Sequence, residues 1–238
     1  MIAAGPAIRP PLVRDLDGPV ALGVHPAAGR SVPTFIARDV TERLHETLRR
    51  DQFVLIVGES TAGKTRAAYE TVRALLPKHR LVEPSSGASA QDALSHAASL
   101  TRCVVWLDDL ERFLGTGGLT ATGVREVLAD PNRFMIATLR AEEYARFSGP
   151  RGVGEPAQEV LRAGWDSIRL ASRVDLPWSW SADELARGRV RGRGVSCSRP
   201  ATAGRVAGRV GTGHSPPRGG DGARGGGCPQ GRDTPAAL

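Results

Sequence analysis

The sequence predicts an α/β fold, a parallel β-sheet sandwiched by helices, and three observations carry that reading. Phe53-Val54-Leu55-Ile56-Val57, Cys103-Val104-Val105-Trp106-Leu107 and Arg133-Phe134-Met135-Ile136-Ala137-Thr138 are short, nearly continuous apolar runs. Such runs, with no polar alternation, are what strands covered on both faces look like. Stretches at helical spacing separate them, as parallel strands require, because a parallel pair needs a long crossover. A glycine-containing loop, Gly58 to Thr65, joins the first run to the first of these crossovers.

The elements follow in order. Residues 1–32 are rich in Pro, Gly and Ala and read as a loose lead-in, with a core domain over 33–187 and a tail over 188–238. Pro33 to Asp39 changes character, and Asp39 is placed to cap a helix from Val40 to Arg50 with Leu44 and Leu48 facing inward. After the first strand, Ala68, Tyr69, Val72, Leu75 and Leu76 recur at helical spacing from Thr65 to Leu76, and Pro77 stops the helix. A helix from Thr120 to Asp130 precedes the third run, ended by the Pro131-Asn132 break. Ala157 to Ala163 reads as a helix and Ser167 to Leu170 as a fifth strand. Ser181-Ala182-Asp183-Glu184 is a capping box that opens one more helix.

Lysine usage singles out the loop. Only Lys64 and Lys78 are lysines among 32 basic residues, and Lys64 sits in Gly58-Glu59-Ser60-Thr61-Ala62-Gly63-Lys64-Thr65, the pattern GxxxxGK[ST]. In that pattern backbone N–H groups wrap phosphate, and a compact ammonium on a flexible stem reaches between phosphates where a planar guanidinium fits poorly. A strand before and a helix N-terminus after it are the setting an anion site needs, since free N–H groups and the helix dipole face the ligand together. The alternative is a glycine-rich turn with a solvated lysine.

The second run ends in two carboxylates, Asp108 and Asp109. Beside the loop strand, Asp108 would lie at the sheet's carboxyl edge, placed to hold Mg²⁺ through water while Thr65 offers a hydroxyl ligand. Asp109 would then orient an attacking water. A strand that simply stops at a helix cap is the plainer reading of the same pair. The third run closes at Thr138 and Arg140, one short enough to bond a water and one long enough to reach a phosphate.

Charge and cysteine narrow the class further. The formal charge of +7 belongs entirely to the tail, which has nine Arg against two Asp from Gly188 onward, whereas residues 1–187 hold 23 basic and 23 acidic side chains. Nucleic-acid binding by the core is therefore disfavoured. The tail carries 14 of the 29 glycines, has no aromatic residue and shows no apolar periodicity, so it is expected to be disordered. Its Arg/Gly/Pro/Ala composition reads as GC-rich DNA translated out of frame; a genuine Arg/Gly-rich nucleic-acid-binding tail is the alternative. Cys103, Cys197 and Cys228 form no metal or disulfide spacing, and the five histidines form no ligand pair. No apolar run approaches a membrane span and no leader pattern opens the chain, so a cytoplasmic protein is expected.

Together FIARDVTERL, GESTAGKTRAAYE, CVVWLDDLERFL and MIATLRAEEY resemble actinobacterial signal-transducing P-loop ATPases of the STAND class, within the additional-strand group related to AAA+ and NB-ARC proteins. The resemblance spans residues 33 to about 186. It implies ATP with Mg²⁺ as ligand and Gly58, Glu59, Ser60, Thr61, Ala62, Gly63, Lys64, Thr65 and Arg66 as the nucleotide-binding stretch. It also implies Thr65 and Asp108 at the metal, Asp109 at the water, and Thr138 or Arg140 as the γ-phosphate sensor on the inserted strand. In such proteins the segment ahead of the loop strand packs on the adenine ring, making Phe35, Ile36 and Arg38 candidates for a base pocket; plain packing of a short helix explains them too. A helical or winged-helix module and sensing repeats follow the core in that class, and neither is legible here. The expectation is a truncated, weakly hydrolysing core that acts through a protein partner or self-association. A P-loop small-molecule kinase and a DNA-associated AAA+ module are the other readings.

Overall fold

The computed structural model describes residues 9–24, 34–85, 89–115, 117–149 and 156–191. The chain divides after Ser196 into two units, and every element named below lies in the first. Expectations for residues 1–8 and 25–33, and for the tail from residue 192 onward, lie outside the described residues.

Five strands form one parallel sheet: β1 Phe53–Gly58, β2 Arg80–Val82, β3 Cys103–Leu107, β4 Arg133–Arg140 and β5 Ser172–Asp175, in the order β2-β3-β4-β1-β5. The helices are α1 Val40–Arg50, α2 Lys64–Leu75, α3 Ala90–Ser99, α4 Ala121–Leu128, α5 Ala141–Ser148, α6 Pro156–Ile168 and α7 Ala182–Arg191. β4 therefore separates the loop strand β1 from the acidic strand β3, the additional-strand arrangement expected from the sequence.

Alternation along the central strands builds two cores. Phe53, Leu55 and Val57 of β1 join Cys103, Val105 and Leu107 of β3 on the face covered by α3, α4, α5 and α6. Val54 and Ile56 join Val104, Trp106 and Ile136 on the opposite face, under α1 and α2. Every residue of β1 is buried, which explains its unbroken apolar run. Fully burying one such side chain contributes about 1.5–3 kcal/mol, and Leu55→Ala would cost about 2–5 kcal/mol. Cys103 is an inert part of this core, its thiol pushed up to about 11 by burial.

Three local expectations differ from what forms, and the first is the tail boundary: α7 runs to Arg191, so residues 188–191 belong to a helix and not to the tail expected from residue 188. The segment Ser167 to Leu170 is not the fifth strand; Ser167 and Ile168 complete α6, whose Leu161, Trp165 and Ile168 pack on the first core. β5 follows at Ser172–Asp175 and buries only Val174, so it carries no apolar run to announce it. Asp39 makes no side-chain cap on α1; its carboxylate accepts from Ser181 Oγ and Arg187 instead. The capping box forms as read: Ser181 N–H donates to Glu184 Oε2 at 2.8 Å and Glu184 N–H donates to Ser181 Oγ at 3.1 Å.

Part of the lead-in is anything but loose. Leu12 pairs antiparallel with Arg80, Leu81 N–H donates to Pro11 O at 2.8 Å, and Val13 and Leu22 are buried in the second core. This segment covers the outer edge of β2, a three-residue strand that would otherwise present unpaired backbone. Among the described residues no helix is long and apolar enough to cross a membrane.

Candidate functional site

Gly58 ends β1 and begins the glycine loop. A methyl group at its Cα would sit 2.6 Å from the carbonyl oxygen of Leu176, so only glycine lets the strand close on the chain leaving β5. Gly63, at φ +92°, has open space around it; here the left-handed backbone is the constraint. Thr61 also adopts a positive φ of 63°, unusual for a β-branched residue and a reason to look for function. The loop hands the chain to α2, whose first turn leaves backbone N–H groups with no partner inside the helix. Lys64 folds back over the loop and donates to Glu59 O at 2.9 Å. Its ammonium is held below the usual lysine range by burial, which outweighs the attraction of Asp109, Glu111 and Asp108.

Strand register sets what faces the loop. Ile56 pairs with Thr138, and Leu107 pairs with Ala137, so the residue after β3 comes level with Thr138. Asp108 Oδ1 accepts from Thr65 Oγ1 at 2.9 Å and from Thr138 Oγ1 at 2.7 Å. Burial pushes the Asp108 carboxyl up, opposed by those two hydroxyls. Thr138 Oγ1 in turn accepts the Asp109 N–H at 2.9 Å. Asp109 takes a left-handed backbone, φ 53°, that aspartate tolerates better than most residues. Arg140 donates from Nε to Glu111 Oε1 at 2.7 Å and from an outer nitrogen to Glu142 at 3.0 Å.

One cleft of about 630 Å³ gathers these groups. Ser60, Thr61, Ala62, Gly63, Lys64, Thr65 and Arg66 line it on the loop side, Asp108, Asp109 and Arg140 on the other, and Phe35, Ile36 and Arg38 at one end. Gly58 and Glu59 are not part of this lining, the first being buried and the second exposed, and Thr138 is buried and bonded to Asp108. Arg66 reaches across the Phe35 ring at 5.6 Å while its Nε donates to Glu70 at 2.8 Å. Sequence reasoning missed four lining residues, one of them Thr34, next to the base-pocket candidates. Trp180 comes from the chain after β5, and Gly23 and Val24 come from the lead-in. Gly23 lies so close that a methyl there would meet Asp108 Oδ2 at 3.0 Å. An indole next to the capping box was a usable signal for Trp180; nothing in a Pro/Gly-rich segment marks Gly23.

Among the described residues no group of three or more His, Cys, Asp or Glu side chains is arranged to hold a metal ion. The pair Thr65 and Asp108 does fit the partial ligand set of Mg²⁺, which usually takes one or two protein oxygens and fills the rest from phosphate and water. A second cleft of about 570 Å³, between the lead-in and α3, contains none of the loop or acidic residues.

No family model and no curated protein matches the chain. Among solved structures it is similar to one described as "Structural Basis for Katanin Self-Assembly", at 18% identity and a TM-score of 0.38, over 60% of this chain and 51% of that one. This chain thus matches about half the length of that structure.

Proposed function

We propose that the cleft binds ATP with Mg²⁺ and that the chain is the weakly hydrolysing core of a regulatory, signal-transducing ATPase of the STAND kind. The observation that carries this is the convergence of Lys64, Thr65 and Asp108 on one cleft at the carboxyl ends of parallel strands, with β4 between their strands. Loop amides and the Lys64 ammonium supply donors for phosphate oxygens; Thr65 and Asp108 supply oxygens for Mg²⁺. When bound, Mg²⁺ would neutralise charge developing on the phosphates. The Asp109 carboxylate is free of the contacts that hold Asp108 and faces the cleft, which suits it to orient a water. Thr138 has its single hydroxyl proton directed at Asp108, so Arg140 is the better placed of the two to meet a terminal phosphate. Phe35, Ile36 and Trp180 offer an apolar end for a purine.

The strand order disfavours the kinase reading, which places the acidic strand next to the loop strand. Charge disfavours the DNA reading, since residues 1–187 carry no net charge. The resemblance further implies that a protein partner or self-association completes the switch.

Calorimetric titration of the full chain with Mg²⁺-ATP tests the reading. Lys64→Ala should reduce affinity by about 10- to 150-fold, the weight of charge-assisted hydrogen bonds of about 1.5–3 kcal/mol. Equal affinity in the wild type and the variant would remove the phosphate-loop assignment.

A further inference from the structure

Arg38 is engaged from every side. Its Nε donates to Glu184 Oε1 at 2.8 Å, one outer nitrogen donates to Ala62 O at 3.1 Å, and the other donates to Pro177 O at 2.7 Å and Ser179 O at 3.1 Å. Trp180 covers the guanidinium, with the ring centroid 4.9 Å from its central carbon. The arginine and glutamate side chains are only 6% and 4% exposed. Of the five N–H donors an arginine owns, four are committed, leaving little with which to read a base directly.

What it touches is informative. Ala62 O belongs to the peptide shared with Gly63, and in a trans peptide the C=O and N–H point in opposite directions. By fixing the Ala62 carbonyl, Arg38 fixes where the Gly63 N–H is aimed, and Gly63 lines the cleft. At the other end, Glu184 closes the capping box of α7 with Oε2, while Oε1 receives both Arg38 and the Asp39 N–H at 2.7 Å. A loop peptide and the cap of a helix are thus joined through two side chains.

We propose that Arg38 is a positioning residue that couples occupancy of the cleft to the docking of α7 through Glu184. The inference rests on the proposed function for the identity of the ligand and on the hydrogen bonds above for the coupling. A ligand that orders the 59–63 loop holds Arg38 in place, and Arg38 holds Glu184 at the α7 cap. Coupling is reciprocal, so loosening α7 must loosen the loop.

Backbone amide exchange on the full chain, with Mg²⁺-ATP as the probe, tests this in two arms. Without nucleotide, Glu184→Ala should speed exchange at Ala62 and Gly63 while β1 and β4 exchange as in the wild type; unchanged loop exchange overturns the coupling. With saturating Mg²⁺-ATP, exchange across 182–191 should slow in the wild type and not in Glu184→Ala, whose affinity should fall by about 5- to 150-fold. A wild type that binds Mg²⁺-ATP with no change in α7 also overturns it. A wild type that fails to bind, with the first arm positive, refutes the nucleotide reading and leaves the loop-to-helix link standing. Glu184→Gln keeps an oxygen toward Arg38 and guards against a variant that fails to fold. It should retain the response of α7 to nucleotide; loss equal to that in Glu184→Ala would place the effect in the capping box alone and overturn the role of Arg38.

Discussion

Thr138 Oγ1 donates to Asp108 Oδ1 at 2.7 Å and accepts the Asp109 N–H at 2.9 Å, so one hydroxyl on β4 fixes the chain where it leaves β3. Its single proton goes to Asp108, so it has none left to give. Thr138→Val keeps the shape and removes both bonds, leaving the Asp109 N–H without a side-chain partner. Urea unfolding should show a loss of about 1–3 kcal/mol. Thr138→Ser, which keeps the hydroxyl, should lose less, and equal stability of all three forms would show the bonds to be dispensable.

The two aspartates should separate by assay. Asp108→Asn should weaken the dependence of ATP affinity on Mg²⁺, because it removes the charged oxygen beside Thr65. Asp109→Asn should bind ATP like the wild type and slow turnover by about 10²- to 10³-fold, the usual effect of losing one organising contact at the reacting centre. Turnover of the isolated chain is expected near the limit of detection. Loss of ATP binding in Asp109→Asn would refute this division.

Gly23 is under two constraints, a φ of +84° and the Asp108 Oδ2 atom, which an added methyl would meet at only 3.0 Å. Gly117, at φ +76° with open space around it, is under the first alone. Alanine at either position should cost about 1–2 kcal/mol for the left-handed backbone. Gly23→Ala should in addition alter Mg²⁺-dependent binding, since the new methyl displaces the carboxylate. Identical behaviour of the two variants in titrations would remove the contact from the argument.

Glu184 gives a dependence on acidity with a defined sign. Burial alone would raise its carboxyl, but the Asp39 N–H, Arg38 and the Ser181 N–H together hold it below its ordinary value of 4.5. With the folded pKa below the unfolded one, its contribution is present above about pH 4.5 and is lost as pH falls through the folded value. The stability difference between wild type and Glu184→Gln, from urea titrations at successive pH values, should therefore shrink below pH 4.5 and stay constant above it. A difference that grows on acidification would contradict the ion pair.

What could be read in the sequence followed burial. β1, β3 and β4 are covered on both faces, so each is an apolar run that no helix pattern imitates. β2 and β5 bury two residues and one, and neither leaves a one-dimensional trace. That Ser60 to Arg66, the aspartates and Arg140 would meet at one sheet edge was legible because each stands at a fixed offset from a strand end. Arg38 was legible as part of the cleft, but its bonds to Glu184, Pro177 and Ser179 span some 140 positions, and no local pattern encodes them. The packing of the lead-in was hidden for a related reason: Val13 and Leu22 sit in apolar clusters too short to show a period, and their partners lie on α2 and β2.

The insertion of β4 between β1 and β3 also sets an order on biosynthesis. Both motifs emerge from the ribosome before the strand that joins them, so a nascent chain ending at Asp109 carries a glycine loop and an acidic pair on strands that are not neighbours. At about 5–20 residues per second, the interval until Arg140 has been made is on the order of 2–7 s. Throughout it, β1 and the inner side of β3 are apolar strands with open edges, the kind of surface that pairs with other chains. The same placement that brings Thr138 beneath Asp108 makes the acidic half of the cleft wait on a late strand, and leaves the newborn chain dependent on whatever shields those edges in the meantime.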